Sequence, residues 1–290
     1  MRKGRTVFTR GNIPKNFRDY LSKMPLQTIA DRIEYIRSTN RFLIDGDVAR
    51  LRIDEVMQGY TWMTQVFKAP RAYRGRLNIG GSMFYNVKEV WYPPKSAVSK
   101  MGRLNDRFVS LFYCADSEAT AIFECRPEIG QRVTVIECVA VNPEATMHVH
   151  EVAIKEIVPW VSPGPTIHEM PVSRLLFGRD DNDKKNKLIR QLFVDEFTRL
   201  VPQGHDHEYI FSVAIAEKML APDEIDGIAY PSIMSSSNAN LAIKQHAADR
   251  VFRCSRAWVV EVLERLDNGK LKVRCIATSN VVDVDGTFRW

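Results

Sequence analysis

Gly102-Arg-Leu-Asn-Asp-Arg-Phe-Val-Ser-Leu-Phe-Tyr-Cys-Ala-Asp-Ser-Glu-Ala-Thr-Ala-Ile-Phe-Glu-Cys-Arg-Pro127 reads as a polar loop, a short apolar strand, a turn and a helix. Phe108 to Phe112 is mostly apolar and rich in β-formers, which predicts a strand carrying Tyr113 to its end. Asp116 or Ser117 can accept from the free N–H groups of the following turn and start a helix. Ala119, Ile122 and Phe123 give that helix an apolar face, and Glu124, two residues after Ile122, falls on its flank. Folding alone explains Arg103, Tyr113 and Glu124 least. A strand end beside a helix flank is a rigid platform for a site.

Downstream, Arg132–Val141 is a clear strand, and residues 142–183 are irregular, with prolines at 143, 159, 163, 165 and 171, as either a lid or a surface excursion. Lys184–Leu200 carries a wide apolar stripe at helical spacing, and Phe211–Leu220 is a second helix. Ile225–Tyr230 is a short buried strand ending at Pro231-Ser232. A helix is expected over 235–245, with Ser232 or one of Ser235, Ser236 and Ser237 as its cap. Two strands, Phe252–Leu263 and Lys272–Val282, flank the hairpin signal Asp267-Asn268-Gly269.

Upstream, residues 71–101 are loop-rich. Gly80-Gly81-Ser82 lacks the strand–loop–helix setting of a phosphate loop and reads as a turn. Leu26, Ile29, Ala30, Ile33 and Ile36 recur at helical spacing, and a second amphipathic piece over Asp47–Met57 offers Val48, Leu51, Val56 and Met57 for burial. These helices are expected to pack on the main domain or on a second copy, as in a homodimer, behind a basic arm over residues 1–12. The division expected is an extension over 1–65 and a main domain over 66–290. Strands and helices do not alternate regularly, so the fold class is α+β.

The 290 residues can bury an ample core, and no apolar run is long enough to cross a membrane. The basic N-terminus has no apolar stretch behind it and does not read as a secretory signal. Five cysteines, none in a C-x-x-C pair, fit reduced thiols in a cytoplasmic setting, and Cys114, Cys125 and Cys138 lie among apolar residues as core packing. The formal net charge of +6 suits an anionic partner: a dinucleotide, a nucleic acid or an acidic protein. A nucleic-acid-binding protein without catalysis is the rival reading, but Lys and Arg are not gathered on one helix with interleaved aromatics. His205-Asp206-His207, with His148 and His150, reads as polar loop rather than metal site, and no metal is expected. No GxGxxG follows a strand, which argues against a dinucleotide-binding redox fold.

Gly102-Arg103-Leu104-Asn105, with Tyr113 ten residues after the Arg in Tyr-x-Ala and Glu124 eleven further in Thr-Ala-Ile-Phe-Glu, resembles the RES domain family. That family is named for an Arg, a Glu and a Ser; the Ser is matched by Ser232 in Gly227-Ile-Ala-Tyr-Pro-Ser, and Tyr73-Arg74-Gly75-Arg76 looks like its opening Arg motif. The resemblance covers about residues 70–245. It implies an ADP-ribosyltransferase-like split, mostly antiparallel sheet with flanking helices, NAD as substrate, and kinship with toxins of toxin–antitoxin pairs. Cleavage of the nicotinamide–ribose bond passes through an oxocarbenium-like state with a leaving group that is already cationic, so a carboxylate near the ribose is the group needed. The resemblance puts Glu124 in that role. It gives Arg103 and Arg74 to the pyrophosphate or ribose, with Arg76 able to replace Arg74. Tyr113 would lay its ring on the nicotinamide and its hydroxyl on the ribose, and Ser232 would donate to a ribose or phosphate oxygen. Water, phosphate or a protein could accept the ADP-ribose, and an antitoxin could cover the pocket.

Overall fold

The computed structural model describes residues 23–58, 60, 64–69, 71–152, 181–233, 238–267 and 270–290. Among the described residues nine strands form one sheet: β1 (Thr64–Lys68), β2 (Ala72–Asn78), β3 (Leu111–Ala115), β4 (Arg132–Ala140), β5 (Thr146–Glu151), β6 (Gly227–Pro231), β7 (Ala239–Lys244), β8 (Phe252–Arg265) and β9 (Leu271–Ser279). Their order is β1-β5-β6-β7-β3-β2-β4-β8-β9. Only β5 and β6 run parallel; the other neighbours are antiparallel. The helices are α1 (Leu26–Ser38), α2 (Gly46–Met57), α3 (Val87–Val90), α4 (Glu118–Glu124), α5 (Asp181–Thr198), α6 (Ile210–Leu220) and α7 (Gln245–Val251). This is the expected α+β class.

The sheet is split in the middle. β2 pairs with β4 along seven residues, but β2 and β3 share a single pair, Tyr73 with Ala115. Alternation along β3 sends Tyr113 to one face and Phe112 and Cys114 to the other. On the first face, α1, α2, α5 and α6 cover the β6–β7–β3 half around Ile29, Ile33, Ile53, Phe193, Phe197 and Phe211. α4 covers the other half through Ile122, packed with Val133, Val135 and Trp258. The second face is closed by α3, α7 and the C-terminal segment through Val90, Ala248, Val251 and Phe288. Each such fully buried large side chain contributes about 1.5–3 kcal/mol of burial. The N-terminal helices share one core with α5 and α6, and the buried Arg41 guanidinium, in the turn between α1 and α2, meets Glu196 of α5 through two bonds of 2.6 and 2.7 Å.

Several elements differ from the sequence reading. Within the expected loop 71–101 lies β2, whose Arg74, Gly75 and Arg76 are partly exposed and so show no apolar alternation. β3 begins at Leu111, because Phe108 turns at φ 61° and its N–H bonds Val98; Tyr113 is therefore mid-strand. In α4, Ser117 caps the first turn and sets a phase that buries Thr120, Ala121 and Ile122 and leaves Ala119 exposed. Ala49 and Ile53 of α2 take the buried places expected for Val48 and Leu51, and Leu51 faces solvent. β5 occupies part of the expected irregular segment, with Met147 and Val149 turned inward; residues 153–180 lie outside the described residues. β7 occupies residues 239–244 of the helix expected over 235–245, since Ala239–Ile243 is buried on both faces between β3 and β6, and residues 234–237 lie outside the described residues. The basic arm and Asn268-Gly269 also lie outside the described residues. Gly80 and Gly81, at φ 64° and 76°, form the expected turn.

Candidate active site

A cleft of about 450 Å³ opens on the first face, between α4 and the α5–α6 side, over the split. That volume lies within the roughly 300–1,000 Å³ of small-molecule sites. One row of residues crosses four strands along its floor: Tyr73 pairs with Ala115, Ala115 with Asn240, and Asn240 with Tyr230. All four line the cleft.

Glu124 projects into it from the last turn of α4. Two features of local sequence put it there. Ser117 accepts from the Thr120 N–H and fixes where the helix starts, while Asp116 accepts from the Ala239 N–H at 2.9 Å and ties that start to β7. Gly75 then lets α4 lie against β2; a Cβ there would stand 2.6 Å from the Ala121 carbonyl and 2.7 Å from the Cys125 sulfur. The Glu124 carboxylate is held on one side only. Ser232 Oγ donates to Oε1 at 2.8 Å and Asn240 Nδ2 donates to the same oxygen at 2.7 Å. Ser232 and Asn240 are only 4% and 5% exposed, so both donors are rigidly placed. Oε2 has no hydrogen bond and the carboxylate no cationic partner among the described residues.

Four arginines also line the cleft: Arg74, Arg76, Arg103 and Arg126. Each is held by main-chain carbonyls. Arg74 donates to Val90 O at 2.6 Å and, across the split, to Tyr113 O at 2.7 Å; Arg76 donates to Glu89 O. Arg103 donates to Phe197 O and Arg199 O at 2.7 and 3.0 Å, and Arg126 to Val201 O at 2.8 Å, so both fix their heads at the C-terminal end of α5. None of the four meets a carboxylate among the described residues, whereas elsewhere Arg37, Arg41, Arg50, Arg250 and Arg274 all do. Burial lowers the Arg74 guanidinium from its ordinary value. Arg74 and Arg76 reach carbonyls of α3, the helix on the second face, and lie over the Phe112 and Phe84 rings, so it is Arg103 and Arg126, anchored by carbonyls that do not neutralise them, that leave positive charge on the cleft side for an anionic ligand.

The structure therefore brings Arg74, Arg103, Tyr113, Glu124 and Ser232 to one place, with the Ser232 hydroxyl donating to Glu124. The Tyr113 hydroxyl is already engaged: it donates to Asn105 Oδ1 at 2.7 Å and accepts from the Leu104 N–H at 3.2 Å. Gly102 makes room for this, since a Cβ there would strike the Asn105 side chain. Burial raises the Tyr113 phenol far above its ordinary value, so it stays neutral. Sequence reasoning missed Asn240, Arg126 and Tyr230. Asn240 carried a signal, an amide in an otherwise apolar β-rich run. Arg126 carried another: it ends α4 at φ 49°, where glycine is usual, and Pro127 closes the helical region to it.

Among the described residues no group of three or more His, Cys, Asp and Glu side chains could hold a metal, and no helix is long and apolar enough to cross a membrane. No curated protein matches the chain. The RES domain matches residues 76–264, well over half of the chain, and Arg103, Tyr113, Glu124, Ser232 and Asn240 all fall inside the match. RES domains are an NAD-linked toxin family. The chain belongs to the RES domain family.

Proposed function

We propose that the protein consumes NAD by cleaving the bond between nicotinamide and ribose. The observation that carries this reading is the state of Glu124: one oxygen fixed by two neutral, buried donors, the other open to a cleft lined by four arginines, of which Arg103 and Arg126 are anchored by carbonyls at the end of α5. As the nicotinamide leaves, positive charge develops on the ribose, and the free carboxylate oxygen faces it or takes a hydrogen bond from a ribose hydroxyl. The arginines take the pyrophosphate, and Arg74 and Arg103 are the two assigned to it here. The Tyr113 ring supplies a flat wall for the nicotinamide. Ser232 acts through Glu124. Nothing in the cleft is asked to protonate the leaving group.

ADP-ribose then passes to water, to phosphate or to a protein. The first two deplete NAD, which fits a bacterial toxin, and a partner that fills the cleft would silence it as an antitoxin. The test is to mix pure protein with NAD and follow free nicotinamide. Release by the wild type, lost in Glu124→Gln with the fold intact, is expected. A wild-type protein that releases none in water, in phosphate and with candidate acceptors overturns the reading.

A further inference from the structure

Tyr230 is 5% exposed, lines the cleft, and has no hydrogen bond to its hydroxyl among the described residues. Its ring is fixed edge-on against Phe197 at 6.1 Å between centroids. The ring is buried, but the hydroxyl is not among the fully buried polar atoms that lack a partner, so its oxygen is open on the cleft side. Tyr230 stands directly opposite Asn240 in the β6–β7 ladder, and Asn240 holds Glu124. Directly paired residues of an antiparallel ladder point to the same face with Cβ atoms about 5 Å apart. Two residues on from Tyr230, Ser232 reaches the same carboxylate.

Tyr113 and Tyr230 thus differ in one respect that matters. The Tyr113 hydroxyl is used twice, in holding the loop at Leu104 and Asn105, whereas that of Tyr230 is unspent. Burial first, then the neighbouring Tyr113 and Glu124, push the Tyr230 phenol well above its ordinary value, so it keeps its proton at any working pH.

We propose that Tyr230, rather than Tyr113, supplies the hydroxyl that binds the ligand, donating to an oxygen of the nicotinamide ribose beside Glu124. This rests on the NAD-cleaving reading above. It makes Tyr230 a binding residue and Tyr113 a wall and loop anchor.

The two phenylalanine variants separate the roles. Tyr230→Phe removes a hydroxyl that bonds nothing among the described residues, so thermal stability is expected to hold while kcat/KM for nicotinamide release falls on the order of tenfold to a hundredfold. Tyr113→Phe is expected to lower the melting temperature by a few degrees through its two lost bonds and to cost less in kcat/KM once folded. Binding gives a second readout: in a Glu124→Gln background, titration with NAD is expected to show weaker affinity when Tyr230→Phe is added. Full activity and unchanged NAD affinity in Tyr230→Phe overturn the inference while leaving the NAD reading intact. A wild-type protein that neither binds nor cleaves NAD overturns both. Should Tyr230→Phe lose stability as Tyr113→Phe does, the hydroxyl has a partner within the fold and the inference also fails.

Discussion

The carboxamide of Asn240 donates to Oε1 of Glu124 at 2.7 Å and joins the end of a helix to a strand 116 residues further along the chain. The bond is neutral on the donor side, so it orients the carboxylate without an opposing full charge. Asn240 is a positioning residue in this sense. Asn240→Ala is expected to lower kcat by about tenfold to a hundredfold with little change in KM, since the free carboxylate swings away from its working geometry. Asn240→Asp puts a second carboxyl against the first, and two such groups share a proton. The acid limb of its pH–rate profile is expected to move to higher pH than in the wild type, and an unmoved limb counts against the arrangement.

Gly75 sets how closely α4 lies on β2. A methyl group there meets a main-chain oxygen, which cannot rotate away, so the helix must shift. Gly75→Ala is expected to cost about 1–3 kcal/mol in urea unfolding and to reduce nicotinamide release more than that loss alone explains, because Glu124 rides on the displaced helix.

Arg126 combines left-handed backbone with a place in the cleft. Replacing it by glycine relieves about 1–2 kcal/mol of conformational strain while removing one hydrogen bond to Val201. Arg126→Gly is expected to melt within a few degrees of the wild type yet bind NAD about tenfold or more weakly, by calorimetric titration. Unchanged affinity would mark Arg126 as a structural tie between α4 and the end of α5.

Burial pushes the thiols of Cys114 and Cys125 up to about 12. Below that value they are neutral, and at pH 8 only about one in ten thousand is thiolate. Iodoacetamide at pH 8 is therefore expected to label the exposed Cys275 first, the half-buried Cys125 on the cleft wall far more slowly, and to leave the buried Cys114 unmodified in the folded protein, as read by peptide mass spectrometry. Rapid labelling of Cys114 would mean that the sheet opens in the native state.

Much of the fold could be read from residue order. The strand–turn–helix around Tyr113 and Glu124, the long stripe of α5 and the β8–β9 pair all follow local rules. The parts that escaped are those whose neighbours decide them. β2 looks like a loop because Arg74, Gly75 and Arg76 serve a cleft and a helix contact rather than a core. β7 is short and follows a serine run, and only its burial between β3 and β6 makes it a strand. In the site, Glu124 and Arg103 stood out by type and spacing. Tyr230 and Asn240 did not, because their importance comes from pairing in a ladder that sequence does not display.

β3 lies at the centre of the sheet, yet its partner on one side, β7, comes from residues 239–244. A ribosome therefore finishes the acid long before it makes the amide and the hydroxyl that steady it. Until the chain has grown past that strand, Glu124 lacks the two donors that fix one of its oxygens. The site is thus among the last parts of the molecule to be completed as the chain is made.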